Sequence, residues 1–125
     1  MVVLDASALL AFLHDEPGGD EITPVLEDAW VSAVNWSEIL QKSLQREVDI
    51  DGMQQAFTEL GVRFEPFTAH QAEVAARLWS HTRGRGLSQA DRACLALAID
   101  RSLPVLTADR AWAALELEVE IRVVR

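Results

Sequence analysis

Val2-Val3-Leu4-Asp5-Ala6-Ser7-Ala8-Leu9-Leu10-Ala11-Phe12-Leu13 reads as two elements joined at a carboxylate. The β-branched opening fits a buried strand, whereas Leu9, Leu10, Phe12 and Leu13 recur at near-helical spacing. Asp5 falls at the junction. A short apolar strand that runs straight into a helix is how an open α/β sheet begins. Such sheets bind ligands beyond the carboxyl ends of their strands.

Working outward, the same device repeats. Pro17-Gly18-Gly19 breaks the first helix, and Glu21 to Ala29 reads as a second one. Trp30 to Val34 reads as a strand, with Asn35 capping a helix from Trp36 to Glu47 whose Ile39, Leu40 and Leu44 point inward. A helix over about 51–60 ends at Gly61, and Val62 to Phe67 is a strand that Pro66 suits to a sheet edge. Thr68 caps a helix running to about His81, and Ser88 opens another that carries Cys94 and Leu97. Leu103 to Thr107 is a buried strand, Arg110 to Glu116 a short helix, and Val119 to Val124 a last strand. The alternation predicts a three-layer α/β fold with a mostly parallel five-stranded sheet, Val2-Val3-Leu4 near its middle.

The 125 residues, half of them apolar, suffice for one core and are too few for two. A formal charge of −9 repels polyanions, so any nucleic acid must be met by a local basic patch, a metal ion or a partner. Lys42 is the only lysine, and Arg83 and Arg85 in the loop from Thr82 to Leu87 form the one basic cluster in the sequence. Cys94, being alone, allows neither an internal disulfide nor a cysteine zinc site, and its apolar neighbours suit a small buried side chain. The N-terminal apolar run lacks a basic leader and contains Asp5, so it reads as part of the fold rather than a signal peptide. No apolar run reaches membrane-spanning length, and the expected location is the cytoplasm.

Four acids then stand out. Asp5 ends the first strand, Glu38 lies a turn beyond the second, Asp91 sits in a first helical turn and Asp109 follows the strand ending at Thr107. Each has a bland reading. Asp5 and Asp109 suit helix caps, and Asn35-x-x-Glu38 and Ser88-x-x-Asp91 resemble capping boxes. Capping, however, is satisfied by Ser, Thr or Asn, whereas carboxylates gathered on one rim repel one another unless a cation joins them. No lysine is expected beside any of the four. Oxygen donors without His or Cys favour Mg²⁺ or Mn²⁺ over zinc. All four should face one shared cavity. His14, His70 and His81 read as surface or satisfied helix residues, and Trp30, Trp36, Trp79 and Trp112 as core or interface packing rather than base-stacking platforms.

Leu4-Asp5-Ala6-Ser7, Asn35-Trp36-Ser37-Glu38, Leu87-Ser88-Gln89-Ala90-Asp91-Arg92-Ala93 and Thr107-Ala108-Asp109-Arg110-Ala111-Trp112 resemble the motifs of PIN-domain ribonucleases. More narrowly, they look like those of the VapC toxins of toxin–antitoxin pairs. The resemblance spans residues 1–125 in order and implies one PIN-like domain. It makes Asp5, Glu38, Asp91 and Asp109 the metal-binding catalytic quartet, with Asp5 and Asp91 as direct ligands and Ser7 and Thr107 as polar support. It implies Mg²⁺-dependent hydrolysis of RNA, a cognate antitoxin and a homodimer. Glu38 or Asp109 would orient the attacking water or hold a second ion. Arg83 and Arg85 belong to no matched motif, and their role as RNA contacts rests on charge alone. Leu10, Phe12, Leu40 and Leu44 could line a groove for an antitoxin helix.

Three other classes compete. A phosphate-receiver domain needs a lysine after a late strand, and Lys42 lies in an early helix. A haloacid-dehalogenase-like phosphatase wants a second Asp two residues beyond the first, where this chain has Ser7. A non-catalytic PIN-like partner-binding module would be expected to have lost some of the acids. A serine nucleophile at Ser7 lacks an adjoining histidine.

Overall fold

Strands β1 Val2–Leu4, β2 Ala29–Ser32, β3 Arg63–Glu65, β4 Val105–Thr107 and β5 Ile121–Val123 form one sheet in the computed structural model, which describes residues 1–125. The order is β3-β2-β1-β4-β5, and every neighbouring pair is parallel. The sheet is thus wholly rather than mostly parallel. β1 is central because all three of its residues are apolar and buried on both faces. Val3 lies opposite Trp30 on one side and Val105 on the other, and Leu4 opposite Leu106.

The two-residue period of a strand sorts these side chains into two cores. Val2, Leu4, Ala29, Val31 and Leu106 pack with Leu9, Ile22, Trp36 and Ile39, drawn from helices α1 Ala6–Leu13, α2 Gly19–Ile22 and α3 Ala33–Gln45. Phe57 of α4 Met53–Glu59 joins the same core. Val3, Trp30 and Val105 pack on the opposite face with Leu78 of α5 Ala69–Thr82, Cys94 and Leu97 of α6 Gln89–Arg101, and Trp112. No helix is long and apolar enough to cross a membrane.

Several boundaries differ from the sequence reading, each for a local reason. The second helix is only α2, followed by a 3₁₀ segment Thr23–Asp28. Pro24 lacks the N–H and the room that an α-helical turn requires. β2 stops at Ser32, whose Oγ accepts the Val34 N–H at 3.3 Å, so the cap of α3 is Ser32 and not Asn35. The segment after β4 is a 3₁₀ helix, Arg110–Ala114. Leu44 is exposed and Leu10 buried, which leaves Phe12 and Leu40 as the half-buried members of the expected groove. Trp79 is exposed, whereas Trp30, Trp36 and Trp112 are buried as expected.

Gly61 ends the turn after α4 at φ +105°, where a Cβ would stand 2.4 Å from the Glu27 Cα. Both the left-handed backbone and the backbone clash oppose any side chain. Gly61→Ala should therefore destabilise the fold by more than about 1 kcal/mol, read by thermal melting.

Candidate active site

Asp5 is a buried carboxylate that meets three hydrogen-bond donors. It leaves β1 in extended conformation and caps α1, its Oδ1 accepting the Ala8 N–H at 2.9 Å. Two hydroxyls complete its surroundings. Thr107 Oγ1 donates to Oδ2 at 2.5 Å, and Ser7 Oγ lies 2.8 and 2.9 Å from the two carboxylate oxygens. Thr107 Oγ1 already accepts the Asp109 N–H at 3.0 Å, and Ser7 Oγ accepts the Ala108 N–H at 2.9 Å. Each hydroxyl has its acceptor side engaged by backbone, which turns its proton toward Asp5. Despite three donors, Asp5 has its pKa pushed up to about 6, chiefly by burial, with the negative charge of Asp91 adding to the effect.

Glu38 and Asp91 reach the same neighbourhood from opposite layers. Asn35, buried one turn before Glu38, donates from Nδ2 to the Ala90 carbonyl at 3.0 Å, tying α3 to the first turn of α6. Asp91 sits in that turn. Cys94, one turn on from Asp91, is fully buried. Its thiol is pushed well above its usual pKa by burial and then by the charges of Asp5, Asp91 and Glu38. Asp109 is not among those charges. It lies on the rim, exposed, where it shares a hollow with Ser7.

The capping readings prove correct for three of the four acids. Asp91 Oδ2 accepts the Ser88 N–H at 2.9 Å while Ser88 Oγ accepts the Asp91 N–H at 3.1 Å, a complete capping box. Asp109 Oδ1 accepts the Ala111 N–H at 3.0 Å. Glu38 caps nothing. Its Oε2 lies 3.5 Å from Lys42 Nζ one turn along α3, an ion pair that the expectation of lysine-free acids overlooked. The spacing of four residues is the signal that could have revealed it. Its Oε1 is buried and has no hydrogen-bond partner.

Of the four acids, Asp109 borders a hollow with Ser7. Asp5 is sealed by its hydroxyl and backbone donors, and Glu38 leans on Lys42. No three His, Cys, Asp or Glu side chains are drawn together around a point in the manner of metal ligands. Arg83 and Arg85 are both exposed in the loop leading to Ser88, and the Arg83 guanidinium stacks over the Trp79 ring at 5.3 Å. Asn35, which its sequence context suits to a cap, is instead the brace between α3 and α6. Asn35→Ala should cost about 1 kcal/mol by thermal melting, because the part-buried Ala90 carbonyl loses a donor.

Comparison with known proteins agrees with this geometry at the level of fold. The chain is similar to a toxin–antitoxin complex component from Klebsiella pneumoniae, at TM-score 0.77 and 15% identity, covering 100% of this chain and 98% of the other. It is similar to FitAcB from Neisseria gonorrhoeae at TM-score 0.67 and 24% identity, with 97% and 96% covered. VapC20 of Mycobacterium tuberculosis, described as a sarcin-ricin loop cleaving toxin, aligns at TM-score 0.70 and 17% identity over 96% of this chain and 99% of that one. No curated protein matches by sequence. The PIN domain model matches residues 2–117, a span that takes in all four acidic motifs and stops before β5. The chain belongs to the PIN domain family.

Proposed function

We propose that this PIN-domain protein is a divalent-metal-dependent endoribonuclease that acts as the toxin of a toxin–antitoxin pair in the cytoplasm. The observation that carries the reading is Asp5 at the carboxyl end of β1, with α3 and the first turn of α6, which carry Glu38 and Asp91, tied together by the hydrogen bond from Asn35 to the Ala90 carbonyl. The donor set fits a hard cation. All the donors are carboxylate oxygens, one of them, Glu38 Oε1, is buried without a partner, and Asp5 lacks an adjacent positive charge.

Asp5 and Asp91 would hold Mg²⁺ or Mn²⁺ directly, with Glu38 and Asp109 completing the set. When bound, the ion supplies polarisation of a phosphate oxygen and a more acidic water. Ser7 and Thr107 keep Asp5 in one rotamer with both hydroxyl protons turned onto it. Glu38 or Asp109 would orient the water for in-line attack, Glu38 with its Oε2 held by Lys42 and Asp109 standing exposed at the rim. Arg83 and Arg85 are assigned to phosphate contacts on charge alone.

The partner proposals are a cognate antitoxin and a second copy of the chain. Similarity to toxin–antitoxin assemblies supports the first, and Phe12, Leu40 and Leu44 supply apolar surface for a partner helix. Incubation of the purified protein with RNA in Mg²⁺, Mn²⁺ or EDTA, resolved on a gel, tests the reading. Cleavage in the metals alone is expected. Persistent cleavage in EDTA, or none in either metal, would overturn it.

A further inference from the structure

Two hollows flank the Asp5 site and meet at Ser7 and Arg125. One, of about 350 Å³, is bordered by Lys42, Arg46 and Arg125. The other, of about 530 Å³, is bordered by Arg110, Arg125 and Asp109. Four of the 11 basic residues thus surround one serine, opposed on the lining only by Glu16 and Asp109, in a chain of net charge −9. Ser7 is the residue whose hydroxyl bonds Asp5, so the lining the two hollows share lies directly against the Asp5 carboxylate.

We propose that Lys42, Arg46, Arg110 and Arg125 form a cationic track that grips RNA phosphates on both sides of the scissile one, guiding the strand over Ser7. This rests on the ribonuclease reading and adds the surface that an acidic chain needs to approach a polyanion.

The poise of each cation fits that use. Arg110 is exposed and makes no ion pair within the chain, and its guanidinium is ready for a bidentate phosphate contact. Arg125 is steered over the groove by the Pro17 carbonyl at 3.1 Å, with Glu16 at 3.8 Å. Arg46 Nη1 lies 2.8 Å from His14 Nδ1, which must accept and therefore be neutral. Burial and then the Arg46 charge hold His14 below its usual pKa, so the pair keeps a single positive charge. Lys42 links the track to the acids through Glu38. No Phe or Trp lines either hollow, so this surface grips backbone and offers no platform for a base. The one exposed tryptophan, Trp79, borders a different hollow with Phe67 and Arg92.

The test is a salt titration of binding to a 5′-labelled single-stranded RNA dodecamer, followed by fluorescence anisotropy in EDTA. Each lost phosphate contact should reduce the slope of log K against log salt by ~0.7. Arg46→Gln/Arg110→Gln and Arg110→Gln/Arg125→Gln should each lower it by ~1.4 with melting unchanged. Arg77→Gln, on α5 and paired with Glu73, should leave it unaltered. An unchanged slope in both double variants would overturn the track, as would an equal fall in Arg77→Gln. Loss of binding to a poly-glutamate peptide with RNA slopes intact would also overturn it, in favour of an acidic protein segment. A parallel cleavage assay in Mg²⁺ on the unsubstituted protein separates the two ideas. Absence of cleavage fails the ribonuclease reading, whereas the slopes decide the track.

Discussion

Asp5→Asn should make the metal-free protein more stable at pH 7, by up to about 3 kcal/mol, although it removes a group with three hydrogen-bond donors. The reason is the direction of the Asp5 shift. Its carboxyl is raised from 3.8 to about 6 by burial, and Asp91 adds to the rise. The folded state therefore holds a proton that the unfolded chain has already released between those two values. Below about 3.8 both states are protonated and Asp5 costs nothing. As pH rises through about 6 the folded protein must bury a charge, and stability falls to its lower plateau. Asparagine keeps the shape, still accepts the Ala8 N–H and carries no charge. Thermal melts in EDTA from pH 4 to pH 8 should thus show the Asp5 contribution declining in the parent and absent in the variant. A variant less stable than the parent at pH 7 would mean that the hydrogen bonds outweigh the buried charge.

The second large effect is the response to metal. If Asp5, Glu38 and Asp91 take a cation, Mg²⁺ binds the folded chain alone and relieves their repulsion. At about a hundredfold over its dissociation constant it should stabilise the parent by roughly 2.7 kcal/mol. Asp5→Asn should gain much less and lose RNA cleavage by at least about a hundredfold, since even groups that only support metal ligands commonly matter by ten- to a hundredfold. Purely capping carboxylates predict the opposite. Asp91 and Asp109 already satisfy backbone donors, and Mg²⁺ would then stabilise parent and variant equally. Melting both proteins with and without Mg²⁺ separates the two, and equal gains would remove Asp5 from the ligand set.

Much of this molecule was legible in the chain because its signals are local. The apolar triplet Val2-Val3-Leu4 identified the central strand, since only a strand covered on both faces is apolar at every position. Ser88 and Asp91 announced the start of α6, and Thr68 that of α5, because caps are recognised over three residues. The order of the four acids along alternating strands and helices likewise directed attention to one sheet edge.

Tertiary structure decided what depends on partners distant in sequence. Asn35 looked like a cap, yet it is buried because Ala90, 55 residues away, offers a carbonyl. Asp5 acquires its raised pKa from the layers that close over it, a property of packing that no neighbouring residue encodes. The sequence also scattered Lys42, Arg46, Arg110 and Arg125 so widely that only Arg83 and Arg85 looked like a basic cluster. Folding gathers those four around Ser7, because the parallel register sets β4 beside β1 and carries Arg110 to the rim where α1 begins. Local chemistry thus sufficed for the elements and the acids, whereas burial and electrostatic field arise from residues that meet only after the chain has folded.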